Sequence, residues 1–426
     1  MSIFVILVFI VTLALGMPIA FCLGLTSLVA LIGMDVPLTL MAQRVFTGMD
    51  SFPLMAVPFF VLAGDLMNAG GTTRGLINFA NVIVGRIRGG LAHTNVVASM
   101  FLSGISGSAV ADASAIATIM VPGMVKAGYD TGFAAALTAA SSTMGPIIPP
   151  SIFMVIMGVT TGVSIGALFA AGFIPGVILG ISMMGLSYYL AVKRNYPKDP
   201  EPFTLRRLWT ATRDAGPALL APVIILGGIL GGIFTPTEAA VVAVVYAFLV
   251  GMFYYKQLNW QNITKILVSS GITTAVLLFI IACANIFAWV LTSDQVPQRI
   301  AQQMLHMTKD PYLILLIING FLLVVGMFME GGAAIIILAP TLMKIAETVG
   351  IDPLHFSFVV VLNIVVGLLT PPMGVCLFVV CGITGHPLSS IIKSVFPFIL
   401  LELAVLMLAT YFPWMVLIVP RLLGYV

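Results

Sequence analysis

The sequence contains very few charged residues. Only 8% of its 426 residues are charged, 60% are hydrophobic, and the mean hydropathy is +1.17. An average soluble domain carries about 25% charged residues, so this chain lacks the polar side chains that cover a globular surface. Apolar runs recur from Ser2 to the C-terminus, and one bilayer crossing takes about 20 residues, which leaves room for about ten spans. The composition predicts an all-α polytopic protein in a lipid bilayer and excludes a soluble enzyme with one anchor.

Motifs for nucleotide, metal and nucleic-acid chemistry are also missing. There is no Walker A motif and no HExxH motif, so ATP-driven transport by this chain alone is excluded. A net charge of +3 is too small to indicate a nucleic-acid partner. The cysteines lie inside apolar runs without CxxC spacing, which is typical of small buried hydrophobic residues. They are Cys22, Cys283, Cys376 and Cys381.

One enzyme motif is present. Gly104-Ile105-Ser106-Gly107 matches the GxSG of rhomboid serine proteases, whose serine requires a histidine base. The histidines all fall at the ends of predicted segments, at His93, His306, His355 and His386. The chain is therefore predicted not to be an enzyme, and an intramembrane serine protease is kept only as a remote alternative.

The second half of the chain repeats features of the first. Gly145-Pro-Ile-Ile-Pro-Pro150 has a counterpart in Gly367-Leu-Leu-Thr-Pro-Pro372, about half the chain length further on. Further pairs follow at nearly the same separation: Pro18 with Pro236, Asp112 with Glu330, Pro122 with Pro340, Lys126 with Lys344, Thr161 with Thr384, and Pro175 with Pro397. Matches in register over the whole chain indicate an internal repeat. The first repeat covers 1–210 and the second covers 215–426.

Each repeat is predicted to contain a hairpin and a broken helix. The predicted bounds are 92–127 and 132–162 in the first repeat, and 311–349 and 355–385 in the second. If both hairpins are re-entrant, each repeat crosses the membrane an odd number of times. The second repeat is then inserted upside down, which is the inverted-repeat design of secondary transporters.

The distribution of lysine and arginine favours this topology. With the basic connection 193–213 in the cytoplasm, most Lys and Arg residues lie on the cytoplasmic side, as the positive-inside rule requires. Both termini are then predicted to lie outside the cytoplasm. Amphipathic stretches at 36–48, 73–88 and 297–309 are expected to lie along the membrane surface.

The helix breaks are the most informative feature of the sequence. Broken helices at membrane depth cost several kcal/mol per unsatisfied backbone group unless those groups line a cavity or bind a ligand. Unwound carbonyls with Ser and Thr hydroxyls suit a monovalent cation, and half-helix N-termini attract an anion. The alternative is that the small residues only allow close helix packing. The repeat predicts two related sodium cages, one in each half, with an anionic substrate between them.

The candidate residues follow from the positions of the breaks. The candidate sodium ligands are Ser103, Ser106, Ser108, Ser141, Ser142 and Gly145 in the first repeat, and Gly326, Asn363, Gly367 and Thr370 in the second. The candidate substrate contacts are Gly107, Asp112, Pro150, Ser151, Glu330, Gly331, Gly332 and Pro372.

Two carboxylates, Asp112 and Glu330, occupy equivalent positions in the two hairpins. An ionisable residue inside a membrane segment is costly and is functional by default. Each carboxylate could coordinate a cation, relay protons, or pair with Lys126 or Lys344. The alternative is that both are helix caps at wet hairpin tips.

Several stretches of the chain resemble one family. Residues 57–71, 103–112, 144–151, 232–240 and 367–374 are similar to the large membrane (M) subunit of tripartite ATP-independent periplasmic (TRAP) transporters. The resemblance covers essentially the whole chain. It implies a multi-pass protein of the bacterial inner (cytoplasmic) membrane, so the two termini that the Lys and Arg distribution places outside the cytoplasm would be periplasmic. It also implies a Na⁺-driven importer of a carboxylate such as a C4-dicarboxylate or sialic acid.

The resemblance further implies partners and a mode of movement. The partners would be a small four-helix membrane (Q) subunit and a periplasmic substrate-binding protein. The hairpins and broken helices would form an elevator-type transport domain held by a scaffold. A second hypothesis stays open: an autonomous anion/Na⁺ symporter or channel that needs no binding protein.

Overall fold

The computed structural model describes residues 2–198, 203–296, 298–299, 302, 308 and 310–425. In these residues the regular structure is helical, and eight helical segments are long and apolar enough to cross a membrane. The prediction of an all-α polytopic protein is confirmed. The amphipathic stretch predicted at 297–309 lies almost entirely outside the described residues.

The first half contains ten helices within the described residues. They are α1 (Ser2–Ala14), α2 (Ile19–Gly33), α3 (Thr39–Met49), α4 (Ala56–Ala69), α5 (Thr72–Val84), α6 (Gly90–Ser106), α7 (Ala109–Lys126), α8 (Thr131–Ser142), α9 (Ile152–Thr161) and α10 (Ile165–Lys193). A 3-10 turn, Phe52–Met55, precedes α4.

The second half follows the same order. Its helices are α11 (Leu205–Leu230), α12 (Pro236–Leu249), α13 (Trp260–Ser293), α14 (Pro311–Gly326), α15 (Gly331–Thr348), α16 (Pro353–Leu369), α17 (Val375–Thr384), α18 (Leu388–Tyr411) and α19 (Pro413–Leu422). A π-helical turn, Val250–Tyr254, follows α12.

Each half contains a hairpin, as predicted. In the first hairpin (α6 and α7), Gly107 ends α6 with a φ of +62°, which favours glycine. The Ser108 side chain then caps α7 by accepting a bond from a backbone N–H of its first turn. In the second hairpin (α14 and α15), Glu330 caps α15 through two backbone N–H groups. The hairpins cover residues 90–126 and 311–348.

Each half also contains a broken helix. The first consists of α8 and α9 with a break at 143–151, and the second consists of α16 and α17 with a break at 370–374. Both breaks contain a proline pair, Pro149–Pro150 and Pro371–Pro372, joined by a cis peptide bond. Nearly every residue of α8 and α16 is buried, so the centre of the core lies along these two half-helices.

The two repeats interlock. The half-helix before each break packs against its own hairpin, α8 on α6 and α7, and α16 on α14 and α15. The half-helix after each break packs against the hairpin of the other repeat, α9 on α15 and α17 on α7. We call α6–α9 with α14–α17 the interlocked unit. Helices α1–α4 and α11–α13 pack on one another and form the scaffold layer, in which α4, α11 and α13 contact the unit.

Candidate functional site

The tip of the first hairpin encloses a fully buried carboxylate, Asp112. Ser106 Oγ donates to Asp112 Oδ1 at 2.5 Å, and Ser103 Oγ lies 3.1 Å from Asp112 Oδ2. Asp112 is in the first turn of α7, where the partial positive charge of the helix N-terminus favours an anion. The fold therefore brings together Ser103, Ser106 and Asp112, three of the residues that the sequence singled out.

Gly145 of the first break closes this group from the other side. A Cβ at Gly145 would lie 2.8 Å from Asp112 Oδ2 and 3.0 Å from the backbone N of Ala109, so the close approach requires glycine. We call Ser103, Ser106, Asp112 and Gly145 the Asp112 cluster. It combines a carboxylate, two hydroxyls and unwound backbone in one buried space, and such hard oxygen donors fit a sodium ion.

The other candidate serines of the first repeat have different partners. Ser141 Oγ lies 2.9 Å from both Ser99 Oγ and Asn95 Oδ1, one helical turn from Gly145. Ser142 Oγ donates to the carbonyl of Thr138 at 2.6 Å. The Ser141 hydroxyl therefore joins α8 to α6, the Ser142 hydroxyl bonds within α8, and neither bonds to the Asp112 cluster. Likewise, the Ser108 side chain is a helix cap, whereas its backbone N–H donates to Ser106 Oγ at 3.2 Å.

In the second repeat the corresponding contact is made by backbone alone. A Cβ at Gly367 would lie 2.7 Å from three backbone atoms of Gly326, so these two predicted residues do touch. Asn363 lies one turn deeper in α16, where its Nδ2 donates to Asn319 Oδ1 at 2.9 Å. Asn363 Oδ1 is buried and has no hydrogen-bond partner among the described residues. Thr370 Oγ1 donates to the carbonyl of Val366 in its own helix.

The carboxylate of Glu330 has hydrogen-bond partners of a different kind from those of Asp112. Its two carboxylate oxygens accept from Gly332 N at 2.9 Å and Ala333 N at 2.8 Å, so the helix-cap alternative describes its bonding. Neither carboxylate pairs with the lysine that was considered as a partner. Lys126 and Lys344 each lie fourteen residues further along the helix, a distance of about 21 Å.

Of the remaining candidates, Gly331 and Gly332 lie where the two repeats meet, whereas Gly107, Pro150 and Ser151 contact one another within the first repeat. Gly331 lies against Phe153 of α9, since a Cβ there would be 2.5 Å from the ring. Gly332 lies against Ile156 of the same helix. In the first hairpin, a Cβ at Gly107 would lie 2.7 Å from the carbonyl of Pro150. Ser151 Oγ caps α9 and donates to the carbonyl of Pro146 at 2.7 Å.

One backbone hydrogen bond is repeated at both hairpin tips. Ile152 N donates to the carbonyl of Gly107 at 3.3 Å, and Met373 N donates to the carbonyl of Met327 at 3.2 Å. In each case a residue that follows the cis proline pair, Ile152 just beyond the first break and Met373 within the second, donates to the hairpin of its own repeat. Met373 is adjacent to Pro372, so that candidate also lies beside a tip.

A cavity of about 640 Å³ lies between the first hairpin tip and the scaffold layer. On the side of the interlocked unit it is lined by the tip, with Ser106, Gly107, Ser108 and Ala109, and by Glu330. On the scaffold side it is lined by polar residues of α4 and α13, namely Asp65, Asn68, Lys265, Ser269 and Thr273. The candidates Pro150, Ser151, Gly331, Gly332 and Pro372 do not line it.

The protease alternative has no geometric support. Ser106 Oγ bonds to Asp112, and His93 and His355 contact the backbone carbonyls of Arg88 and Ala409. His93 lies thirteen residues before Ser106 on the same helix, about 20 Å away. His306 lies outside the described residues.

Sequence reasoning missed one buried carboxyl group, Glu402 in the middle of α18. Its Oε1 lies 2.6 Å from Thr143 Oγ1 in the first break. An ionisable residue in the middle of an apolar span is a signal in its own right, so Glu402 could have been found. Its partner could not, because Thr143 is 259 residues away in the chain.

Comparison with known proteins identifies one family. Residues 6–415 match the family model of the tripartite ATP-independent periplasmic transporter, DctM component. The chain is 42% identical over 384 residues to the C4-dicarboxylate TRAP transporter large permease protein DctM of Pseudomonas aeruginosa, covering 90% of both chains. It is 42% identical over 412 residues to the sialic acid TRAP transporter large permease protein SiaM of Vibrio cholerae, covering 96% of both.

Two further similarities bear on length and fold. The chain is 42% identical over 402 residues to the isethionate TRAP transporter permease protein DctMQ of Oleidesulfovibrio alaskensis, covering 94% of this chain but 63% of that protein. Among solved structures, the YdaH transporter of Alcanivorax borkumensis matches with a TM-score of 0.61 and 16% identity over 88% of both chains. That structural likeness shows the fold alone.

Proposed function

Because the chain belongs to the DctM family, the large membrane subunits of tripartite ATP-independent periplasmic transporters, we propose that it imports a small organic acid together with sodium ions. The chain is a multi-pass transporter subunit and not an enzyme. The names of its relatives include C4-dicarboxylate, sialic acid and isethionate, which share an anionic group on a small polar molecule. We assign this chain a carboxylate-bearing substrate of the same class.

The observation that carries the proposal is the cavity at the first hairpin tip. The first turn of α7 faces it through Ser108, Ala109 and Val110, and the free N–H groups of a helix N-terminus attract anions. A volume of about 640 Å³ is sufficient for a small organic acid. A carboxylate at this helix terminus would lie within the reach of the Asp112 cluster, so substrate and cation would occupy neighbouring places.

The scaffold wall of the cavity supplies a second contact for an anion. Three charged residues line the cavity within the described part of the chain. Asp65 accepts from Ser270 Oγ at 2.6 Å, and Glu330 is bonded to backbone N–H groups. The third is Lys265, which is exposed and belongs to no ion pair among the described residues. Lys265 would therefore meet the anionic substrate from the scaffold side.

Sodium would act as a co-substrate at the two tip-and-break contacts. In the first repeat, Asp112 with Ser103 and Ser106 would hold the ion. In the second, the backbone at Gly326 and Gly367 would hold it, and the unpartnered Asn363 Oδ1 is one turn away. The interlocked unit would carry both sites past the scaffold layer as an elevator domain, because each hairpin is packed against the broken helices of both repeats.

Partners follow from the tripartite family. A small four-helix membrane subunit would bind the scaffold layer, and a periplasmic binding protein would deliver the substrate. The membrane would be the bacterial inner membrane, with both termini periplasmic. The alternative, an autonomous symporter or channel, predicts transport without either partner.

Reconstitution tests the proposal. The chain is placed in proteoliposomes with its small subunit, and uptake of a C4-dicarboxylate, a sialic acid and isethionate is measured with the binding protein outside. Uptake of one acid should require an inward Na⁺ gradient and the binding protein. Equal uptake after K⁺ replaces Na⁺ would refute sodium coupling. Full uptake without the binding protein would favour the autonomous alternative.

A further inference from the structure

Glu402 is a buried carboxyl group that the proposed function does not use. It is 2% exposed and lies near the middle of α18, which packs against α8, α10, α16, α17 and α19. No basic side chain among the described residues is bonded to it. The titratable residues of α17 are the buried Cys376 and the half-buried Cys381. The His355 ring contacts the carbonyl of Ala409 in α18, which lies seven residues or about 10 Å beyond Glu402.

Other titratable groups on the neighbouring helices lie near their ends. They are Tyr188, Tyr189 and Lys193 on α10, and Arg421 on α19. Lys393, on α18 itself, is exposed and nine residues from Glu402. An ionised Glu402 would therefore be buried without a cationic partner, which is strongly unfavourable.

The number of hydrogen atoms available for the contacts of Thr143 indicates how the cost of burying a charged Glu402 is avoided. Thr143 Oγ1 lies 2.6 Å from Glu402 Oε1 and 2.6 Å from the carbonyl oxygen of Ala140. A threonine hydroxyl has one hydrogen to donate, and a carbonyl oxygen can only accept. With an ionised Glu402, one of the two contacts would place oxygens 2.6 Å apart without a hydrogen between them. A protonated Glu402 supplies the missing hydrogen, so both contacts are satisfied.

The second carboxyl oxygen supports the same conclusion. Glu402 Oε2 is buried and has no hydrogen-bond partner among the described residues. A carboxylate oxygen without any donor is much more costly to bury than the carbonyl oxygen of a neutral acid. The neutral acid therefore fits both oxygens of Glu402.

The pair is specific to the first break. In the register that aligns Gly145 with Gly367, the counterpart of Thr143 is Val365, and the counterpart of Glu402 is Gly180. The second break therefore has neither the hydroxyl nor the acid. The pair also joins the repeats, since Thr143 belongs to the first and Glu402 to the second.

We propose that Glu402 is a proton-binding site: a carboxylic acid that stays protonated and donates its hydrogen to Thr143 in the first break. Glu402 acts through Thr143 and is a positioning residue for the break that carries Gly145. Because it is neutral, it places no negative charge beside the interlocked unit, against which α18 packs. This inference goes beyond the proposed function and does not depend on the identity of the substrate.

Infrared difference spectroscopy tests the protonation state directly. The chain is reconstituted in lipid with its small subunit, and spectra of the wild type, Glu402→Gln and Asp112→Asn are compared. The C=O stretching band of a protonated carboxyl group should be lost in Glu402→Gln, kept in Asp112→Asn, and constant from mildly acidic to mildly alkaline pH. The proposal would be overturned if Glu402→Gln removed the band of an ionised carboxylate instead. It would also be overturned if the C=O band of the wild type changed with pH in this range.

Two substitutions of Thr143 keep the test decisive if Glu402→Gln does not fold. Thr143→Val removes the acceptor, so the same band should move to higher frequency while it persists. Thr143→Ser keeps the hydroxyl and should leave the band in place. Uptake should fall about fivefold in Thr143→Val, the effect of one buried hydrogen bond, and stay within about twofold in Thr143→Ser. Identical spectra for the two variants would contradict the assignment.

Transport measurements distinguish a proton that stays bound to Glu402 from an ion or proton that binds and leaves during the transport cycle. In the Glu402→Gln variant the side-chain amide can still donate to Thr143, so this variant should keep the sodium Hill coefficient and the pH profile of uptake. A Hill coefficient lower by about one would make Glu402 a sodium ligand. A lost pH dependence would make it a coupling proton site. Either result would overturn the proposal, and neither bears on whether the wild type transports an acid with sodium.

Discussion

Replacing Gly367 with alanine should force the second hairpin away from its broken helix. A Cβ at this position would lie 2.7 Å from Cα, C and O of Gly326. Carbon atoms in contact normally lie about 3.5–4.0 Å apart, so the two backbones must separate by roughly 1 Å. None of the clashing atoms belongs to a flexible side chain. Overpacking of this kind costs about 1–3 kcal/mol, against about 0.5–1 kcal/mol that alanine gains in a helix.

Gly382→Ala on α17 is the matched control. Gly382 is also helical, but a Cβ there would meet no atom within 4 Å. This variant should keep its uptake and be slightly stabilised. A net loss of about 1–2 kcal/mol in Gly367→Ala corresponds to a roughly fivefold to thirtyfold lower population of the active arrangement. Both variants are compared by sodium-driven uptake in proteoliposomes and by thermal unfolding with the small subunit bound.

The reasoning fails if Gly367→Ala transports as fast and unfolds at the same temperature as Gly382→Ala. The hairpin contact would then tolerate a methyl group, and the approach of the two backbones would have no functional role. A loss of transport with unchanged stability would instead place the effect on the site itself, as expected for a cation held by backbone oxygens.

Further predictions concern single side chains of the site. Asp112→Asn keeps the side-chain volume but removes the charge, so the sodium concentration for half-maximal uptake should rise about tenfold or more. An unchanged concentration would mean that the cation binds elsewhere. Asn363→Ala leaves the buried Asn319 Oδ1 without the donor Asn363 Nδ2 and should cost about 1–3 kcal/mol, measured by thermal unfolding; unchanged stability and sodium affinity would contradict this role. Lys265→Gln should raise the KM for the acid about threefold to tenfold, whereas Lys265→Arg should restore it; equal KM values would remove Lys265 from the substrate path.

The hairpins and broken helices could be predicted because glycine, proline and serine mark their ends. Gly107 requires a left-handed backbone, and Ser108 and Ser151 are helix caps. These are local effects within a few residues. The internal repeat adds a second, independent constraint, because a similar pattern of glycine and proline at helix ends recurs in the second half of the chain.

The direction in which each hydroxyl points could not be predicted. Ser141 and Ser142 lie only one turn from Gly145, yet they bond to Asn95 and to the carbonyl of Thr138. A helix turns by about 100° per residue, so neighbouring serines face different helices and their partners depend on packing. For the same reason Asn363 pairs with Asn319 below the tip.

The difference between the two carboxylates was available in the sequence. In the register that aligns Asp112 with Glu330, Ser103 and Ser106 correspond to Phe321 and Val324. The second hairpin therefore has no hydroxyls to offer Glu330, which accepts backbone N–H groups instead. A repeat identifies equivalent positions, but the neighbours of each position decide its chemistry.

The packing across the repeats favours movement as one body. Gly331 at the second hairpin tip has no room for a Cβ beside Phe153, which belongs to the first broken helix. If one hairpin opened alone, it would pull away from a half-helix of the other repeat and expose the buried core between them. The scaffold also packs closely on the first hairpin, because a Cβ at Gly64 of α4 would lie 3.3 Å from Ser106. The packing of each hairpin against the broken helices of both repeats therefore favours joint movement of these elements over separate gating of the two repeats.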